Sequence, residues 1–212
     1  TENHISQLEK IAENIKKDYK VPLVYKERIH QCLDNFLKFN KGLGETVAVE
    51  HEFSVDLAEG IKYNGFIDRI VRGINGGMLI IDYKTSKREK SRVELGRDKQ
   101  LMGYAFAVSQ EFKIPLSEIY CAHYYPLTDS LVSVKFTQGA VNSWRERETA
   151  KVWKIRKKKK EEFPAMQNQF CDWCEYKPMC PLFNDQCSIQ QRIEEQTAQL
   201  KAKEDSLPKT NG

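Results

Sequence analysis

The sequence lacks several features that would each assign it to a class at once. It contains no run of eighteen apolar residues, so no segment qualifies as a membrane-spanning helix. Its first residues, TENHISQLEK, are polar throughout and hold no apolar stretch of the kind a secretory leader needs. A cytoplasmic location is therefore the expectation. There is no internal repeat and no glycine-rich P-loop, so ATP-driven unwinding is not expected of this chain. Charge of one sign is also scarce: 34 basic and 30 acidic side chains leave +4, too mild to announce a nucleic-acid partner. The first residue is Thr rather than Met, which leaves room for residues upstream.

What is present is a globular balance. The 212 residues are 40% hydrophobic and 30% charged, enough for a substantial core in one domain. Residues 4–40 read as helical, with Val24, Ile29, Leu33, Phe36 and Leu37 at helical spacing. After the break KGLGE, the stretch VAVEHEFSVDL alternates. It sets Val47, Val49, Phe53, Val55 and Leu57 against Glu50, Glu52, Ser54 and Asp56. YNGFIDRIV and GMLIIDYKT read as a hairpin about Asn75-Gly76-Gly77. KQLMGYAFAVSQEF returns to helical period. IYCAHYYPL and LVSVKF are two further strands, and residues 138–162 read as a long basic helix. The order is an α/β (α+β) pattern around a mixed sheet. The expected organisation is one domain over 1–188, with a core at 47–162 and a Cys-rich segment at 165–188. A charged tail, 189–212, is expected to be helical and then disordered.

The unusual feature lies inside the strands. Alternation puts Ile80, Asp82 and Lys84 of GMLIIDYKT on one face, and Phe66, Asp68 and Ile70 of GFIDRIV on one face. If these strands pair, Asp68 and Asp82 converge, with Lys84 one pleat further on. Carboxylates drawn out of water cost several kcal/mol each unless paired or metal-bound. A divalent cation with hard oxygen ligands, Mg²⁺ or Mn²⁺, resolves both their burial and their repulsion. A metal-bound water is a nucleophile for a phosphodiester, and Lys84 is placed to orient it or to stabilise transition-state charge. The plainer reading is a surface hairpin in which Asp68 pairs with Arg69 or Arg72.

Gly65-Phe66-Ile67-Asp68-Arg69, then Asp82-Tyr83-Lys84-Thr85, then Gln100-Leu101-Met102-Gly103-Tyr104 resemble the motifs of the RecB-type branch of the PD-(D/E)xK nuclease superfamily. The resemblance runs from about Val47 to Cys180. It implies a restriction-endonuclease-like fold and metal-dependent cleavage of DNA. It implies, more finely, a single-strand exonuclease of repair, recombination or phage replication, served by a helicase or recombination partner. Asp68, Asp82 and the Tyr83 carbonyl would hold the metal, and Lys84 would be the catalytic lysine. Gln100 and Tyr104, on one helix face, would contact the nucleic-acid backbone or order the site. The branch also shows an upstream acid, for which Glu50 and Glu52 both qualify and Glu52 is preferred. It often shows a histidine on an earlier helix. Either His30 fills that place, although Lys26 stands where the branch has glycine, or the histidine lies upstream of Thr1.

Two regions remain. FCDWCEYKPMCPLFNDQC spaces Cys171, Cys174, Cys180 and Cys187 for metal ligation, either Zn²⁺ or a [4Fe–4S] cluster. The resemblance favours the iron–sulfur cluster, because many RecB-type nucleases hold one through an early cysteine and a C-x2-C-x5-C triplet. Cys32 is the upstream candidate, and Cys187 is the alternative fourth ligand. Cys121 reads as core. The basic run Arg156, Lys157, Lys158, Lys159 and Lys160 is a solvated face or a phosphate-binding surface. Trp144 and Trp153 stand beside it as stacking platforms or as core, the core role being favoured for Trp153. Two further classes fit parts of the chain: a DNA-binding module with little catalysis, and a zinc-stabilised interaction module.

Overall fold

The computed structural model describes residues 2–18, 23–73, 76–159, 162–183 and 197–198. The chain divides into two compact units, Thr1–Lys154 and Ile155–Gly212. Cys187, Lys160, Asn75 and almost all of the 189–212 tail lie outside the described residues.

The first unit opens with two helices, α1 (Glu2–Asp18) and α2 (Leu23–Lys41), rather than the single helical stretch read from the sequence. Pro22 stands immediately before α2, where a residue without an amide hydrogen and with fixed φ suits a helix start. The sheet follows in five strands: β1 (Thr46–Ala58), β2 (Ile61–Arg72), β3 (Met78–Tyr83), β4 (Ile119–Tyr125) and β5 (Ser130–Val134). They lie in the order of the chain. All neighbours are antiparallel except β3 and β4, which run parallel. A parallel pair needs a crossover, and this one carries the short helix α3 (Arg92–Leu95) and α4 (Lys99–Phe112). Helix α5 (Gln138–Arg156) ends six residues before the boundary expected from the sequence.

Both faces of the sheet are covered. Helix α4 is buried from Leu101 to Val108 and packs with Phe53, Ile67, Ile80 and Cys121 into the main core. Trp144 of α5 closes that core, edge-on to Tyr63 and tilted against Phe106. On the other face, Phe36, Phe39 and Leu43 cover Val71, Ile81 and Tyr124, with Phe39 stacked on Tyr124 at 3.8 Å. Arg69 ties this second layer together. Its guanidinium donates to Asn40, to Thr46 Oγ1 at 2.6 Å and to the Tyr83 hydroxyl at 3.3 Å. Arg72 pairs with Glu45. The surface-hairpin reading gave these arginines to Asp68; instead Arg69 packs into the second layer and Arg72 pairs with Glu45 at the surface.

Two further sequence expectations change. Val49 is 63% exposed, although the alternation placed it with the buried Phe53, Val55 and Leu57. The cause lies at Glu50, whose φ of 47° is left-handed and uncommon for a residue with a Cβ. The partner strand changes phase at the same level, since Ile67 and Ile70 enter the same core although an odd spacing separates them. The tryptophans also exchange roles. Trp144 is 2% exposed and is core, while Trp153 is 44% exposed.

Gly65 of the GFIDR motif is explained by packing. It lies opposite Phe53 across β1 and β2, and the Phe53 ring fills the space above it. A Cβ there would stand 2.7 Å from Phe53 Cζ. Gly65→Ala is expected to lower stability by about 1–3 kcal/mol in urea denaturation, through overpacking. Adding Phe53→Leu should make the second substitution less than additive, and full additivity would contradict this origin.

Candidate active site

The site is built where β3 and β4 end beside the middle of β2. The register pairs Arg69 with Ile81, which sets Asp68 and Asp82 across from one another one step further. There the side chain enters the ladder: Asp68 Oδ2 accepts the Tyr83 amide at 2.8 Å. On the other side β4 continues the pairing, with Asp82 beside His123 and the Lys84 amide donating to Tyr124 O at 2.9 Å. The segment that carries Asp82 and Lys84 is therefore held by β4 on one flank and by the Asp68 side chain on the other.

Asp82 is 2% exposed, and its Oδ2 lies 2.6 Å from Lys84 Nζ. Burial pushes its carboxyl above the ordinary carboxylate value; Lys84 opposes this, and the charges of Asp68 and Asp98 add to it. Lys84 Nζ also donates to Gln100 Oε1 at 3.4 Å, and Gln100 Nε2 donates to the Tyr104 hydroxyl at 2.7 Å. One chain of contacts thus runs from Asp82 through Lys84 and Gln100 to Tyr104. Burial raises the Tyr104 hydroxyl as well, Gln100 opposing it and the charges of Asp82, Asp68 and Asp98 adding to it.

The position of Gln100 and Tyr104 comes from the start of α4. Asp98 caps that helix, accepting the amides of Gln100 at 2.9 Å and Leu101 at 3.1 Å. Just upstream, Ser91 and Glu94 form a reciprocal capping box on α3. Lys90 bridges the two, with its Nζ 2.7 Å from Asp98 Oδ2 and its amide donating to the Tyr125 hydroxyl at 2.9 Å. Lys84, Ser86, Arg88 and Lys90 line one cleft of about 250 Å³ whose floor is His123 and Tyr125.

Of the remaining candidates, Glu52 lies opposite Phe66, whereas the pairs on either side leave Glu50 across from Asp68. The register therefore favours Glu50 as the upstream acid, against the preference for Glu52. His30 stands on α2 with its Nε2 buried and without a hydrogen bond. Its neighbour Gln31 donates to Leu127 O and Asn35 donates to Pro126 O, so this part of α2 is fastened to the turn that follows β4. No bond joins His30 to the acids among the described residues. Cys32 is half-buried on the same helix. In the second unit, Cys171 and Cys180 flank a pair of tight 3₁₀ turns, and Cys174 is exposed. Among the described residues no three His, Cys, Asp or Glu side chains gather into a group that holds a metal ion, and this includes the cysteines. The structure does not place a ligand set for an iron–sulfur cluster or for zinc there. Two carboxylates and a backbone carbonyl, by contrast, suit Mg²⁺ or Mn²⁺, which retain several waters and need few protein ligands. Arg156, Lys157, Lys158 and Lys159 belong to the second unit, where Lys158 stands over the Phe163 ring.

Asp98, His123, Lys90 and Tyr125 were not singled out by sequence. Asp98 directly before KQLMGY was a legible capping signal. His123, inside an apolar strand, carried no signal beyond its identity.

The family model of the PD-(D/E)XK nuclease superfamily matches residues 6–181. The chain belongs to this superfamily, and its five-stranded mixed sheet flanked by helices is the restriction-endonuclease-like fold. Membership makes it a metal-dependent nuclease, and nucleases of this superfamily use Mg²⁺ or Mn²⁺. No curated protein matches. A solved structure described as "Crystal structure of SSO0001" is similar at 18% identity and a TM-score of 0.41, covering 86% of this chain and 79% of its own. No helix among the described residues is long and apolar enough to cross a membrane.

Asp98 gives the site a pH signature. Burial works against its charge, but Lys90 and the Leu101 amide outweigh this and hold its carboxyl below the ordinary value. A depressed folded pKa contributes stability above the unfolded value and loses it as the pH falls. Asp98→Asn keeps a capping oxygen and removes the charge. In metal-free protein, wild type is expected to lose more stability than Asp98→Asn between about pH 5 and 3, measured by urea denaturation.

Proposed function

We propose that this chain hydrolyses phosphodiester bonds of DNA at the Asp68–Asp82–Lys84 site, as an exonuclease acting on single-stranded ends. The observation that carries the reading is the contact chain from Asp82 through Lys84 and Gln100 to Tyr104. It joins the four side chains singled out by the last two sequence motifs. The finer parts rest on the likeness of those motifs to the RecB-type branch: exonuclease action, single strands, and a place in repair, recombination or phage replication.

Asp68, Asp82 and the Tyr83 carbonyl are the residues that would hold the metal, with Glu50 across from Asp68 as the upstream acid and His30 as a further candidate. The bound Mg²⁺ or Mn²⁺ would acidify a water and neutralise charge on the scissile phosphate. Lys84 orients the attacking water and stabilises negative charge as the phosphorane-like transition state forms. Gln100 fixes the direction of Lys84, and Tyr104 fixes Gln100. Lys84, Arg88 and Lys90, each paired with an acid, line the cleft that would receive the backbone beside the scissile bond. For the Cys-rich segment, the C-x2-C-x5-C spacing alone supports a cluster. Anaerobically purified protein without charge-transfer absorption, containing zinc or no metal, would remove that part.

The test is cleavage of end-labelled single-stranded and duplex DNA with Mg²⁺, Mn²⁺ or EDTA. Wild type is expected to shorten single strands progressively from one end and to be silent in EDTA. Lys84→Met should lose about 10²–10³-fold in rate while keeping its DNA affinity. Internal cuts at early times would overturn the exonuclease part. A metal-loaded, folded wild type that cleaves nothing would overturn the whole.

A further inference from the structure

His123 is wholly buried in β4, and its Nε2 makes no hydrogen bond among the described residues. A buried imidazole nitrogen without a partner is costly unless it serves a second state of the protein. It is not remote from charge. Nε2 lies 3.8 Å from Asp82 Oδ2 and 4.0 Å from Asp98 Oδ2, just beyond bonding distance of both. The other nitrogen, Nδ1, lies 3.3 Å from the Tyr125 hydroxyl.

The network fixes which nitrogen carries the proton. The Tyr125 oxygen accepts the Lys90 amide, which leaves its own hydrogen free to donate to Nδ1. Nδ1 is then the acceptor and Nε2 carries the hydrogen. The opposite tautomer would aim a bare lone pair at two buried carboxylates. Burial pushes the imidazole pKa down to about 4, with Lys84 and Lys90 adding to this and Asp98 opposing it.

Asp82 Oδ2 is thus shared unequally. Lys84 holds it at 2.6 Å, and a neutral N–H waits at 3.8 Å. In the proposed reaction Lys84 must turn toward the phosphate and the water. We propose that His123 is a positioning residue whose Nε2–H closes on Asp82 Oδ2 as Lys84 leaves it, holding the carboxylate in its metal-binding orientation through the reaction. The movement needed is under 1 Å for an ordinary N–H···O bond. Asp98, sharing the same N–H, links this step to the cap of the helix that carries Gln100 and Tyr104. The role rests on the metal-bound reading of Asp82, and it fits the general pattern in which a ligating carboxylate is oriented by a further hydrogen bond.

The test uses the full chain and readouts besides cleavage. In metal-free protein labelled with ¹⁵N-histidine, His123 is expected to show a protonated Nε2 and an acceptor Nδ1. In Lys84→Met its Nε2–H resonance should move downfield as the bond to Asp82 closes. Mn²⁺ affinity, followed by EPR, should weaken about 10–100-fold in His123→Leu. His123→Gln, which places an amide N–H at similar reach, should recover most of it. The rate loss in His123→Leu should fall on kcat rather than KM. Tyr125→Phe, which leaves His123 in place, should mix the tautomers and weaken Mn²⁺ binding to a lesser degree. A protonated Nδ1 in wild type, an unmoved Nε2–H in Lys84→Met, or equal Mn²⁺ affinity across the variants would overturn the role. A Mn²⁺-loaded wild type that cleaves no DNA counts against the nuclease reading, whereas the resonance and affinity readouts decide the role of His123 separately.

Discussion

A carboxylate held almost entirely out of water is the constraint from which the site follows. Asp82 is paired with His123 of β4 on one side and stands next to Tyr83, whose amide the Asp68 side chain takes, on the other, and its carboxylate is 2% exposed. Its charge must be balanced where it stands. Lys84 does this from two positions along the same strand, and Gln100 and Tyr104 fix Lys84 in turn. Asp82 and Tyr104 are the buried members of this chain, so removing the neighbour of either, Lys84 or Gln100, leaves a buried polar group without its partner, which costs more than the contact contributes when made. The same logic explains why four chemically different side chains from two motifs behave as a unit.

Much of this was legible in the sequence because period-two and period-3.6 patterns survive where one face is buried. Helix α4 occupies the range its periodicity marks, Lys99–Phe112, and the order of strands and helices along the chain from β1 onward follows the reading. The approach of Asp68 to Asp82 followed from alternation and a hairpin alone. What failed did so for local reasons. Val49 was misassigned because a left-handed residue at Glu50 turns the strand over, and no sequence pattern announces such a residue when it is not glycine. The choice between Glu50 and Glu52 turns on the register with β2, which no pattern within the strand reveals. Trp144 and Trp153 were exchanged because α5 has only a weak apolar stripe, with Val141 and Trp144 its buried residues. The helix-length reading of residues 4–40 overlooked Pro22.

The groups around His123 illustrate another limit. Their function comes from registers between distant strands, and a single buried histidine in an apolar run looks like ordinary core. Only the parallel pairing of β3 with β4 brings it beside Asp82. Asp98 was visible as a cap, but its second contact, to Lys90, depends on the path of the crossover.

That crossover has a consequence of its own. The hairpin of β2 and β3 carries both acids and the lysine within a short span, yet the Lys84 amide is anchored on Tyr124, beyond two helices. Long-range pairings of this kind are reached only after the loop-closure entropy of the intervening chain has been overcome. A nascent chain that has emerged as far as Tyr83 therefore carries the acids of the motif without the support that organises them. An organised site requires β4, so the emerging chain exposes the acids and the lysine before it holds the strand that supports them.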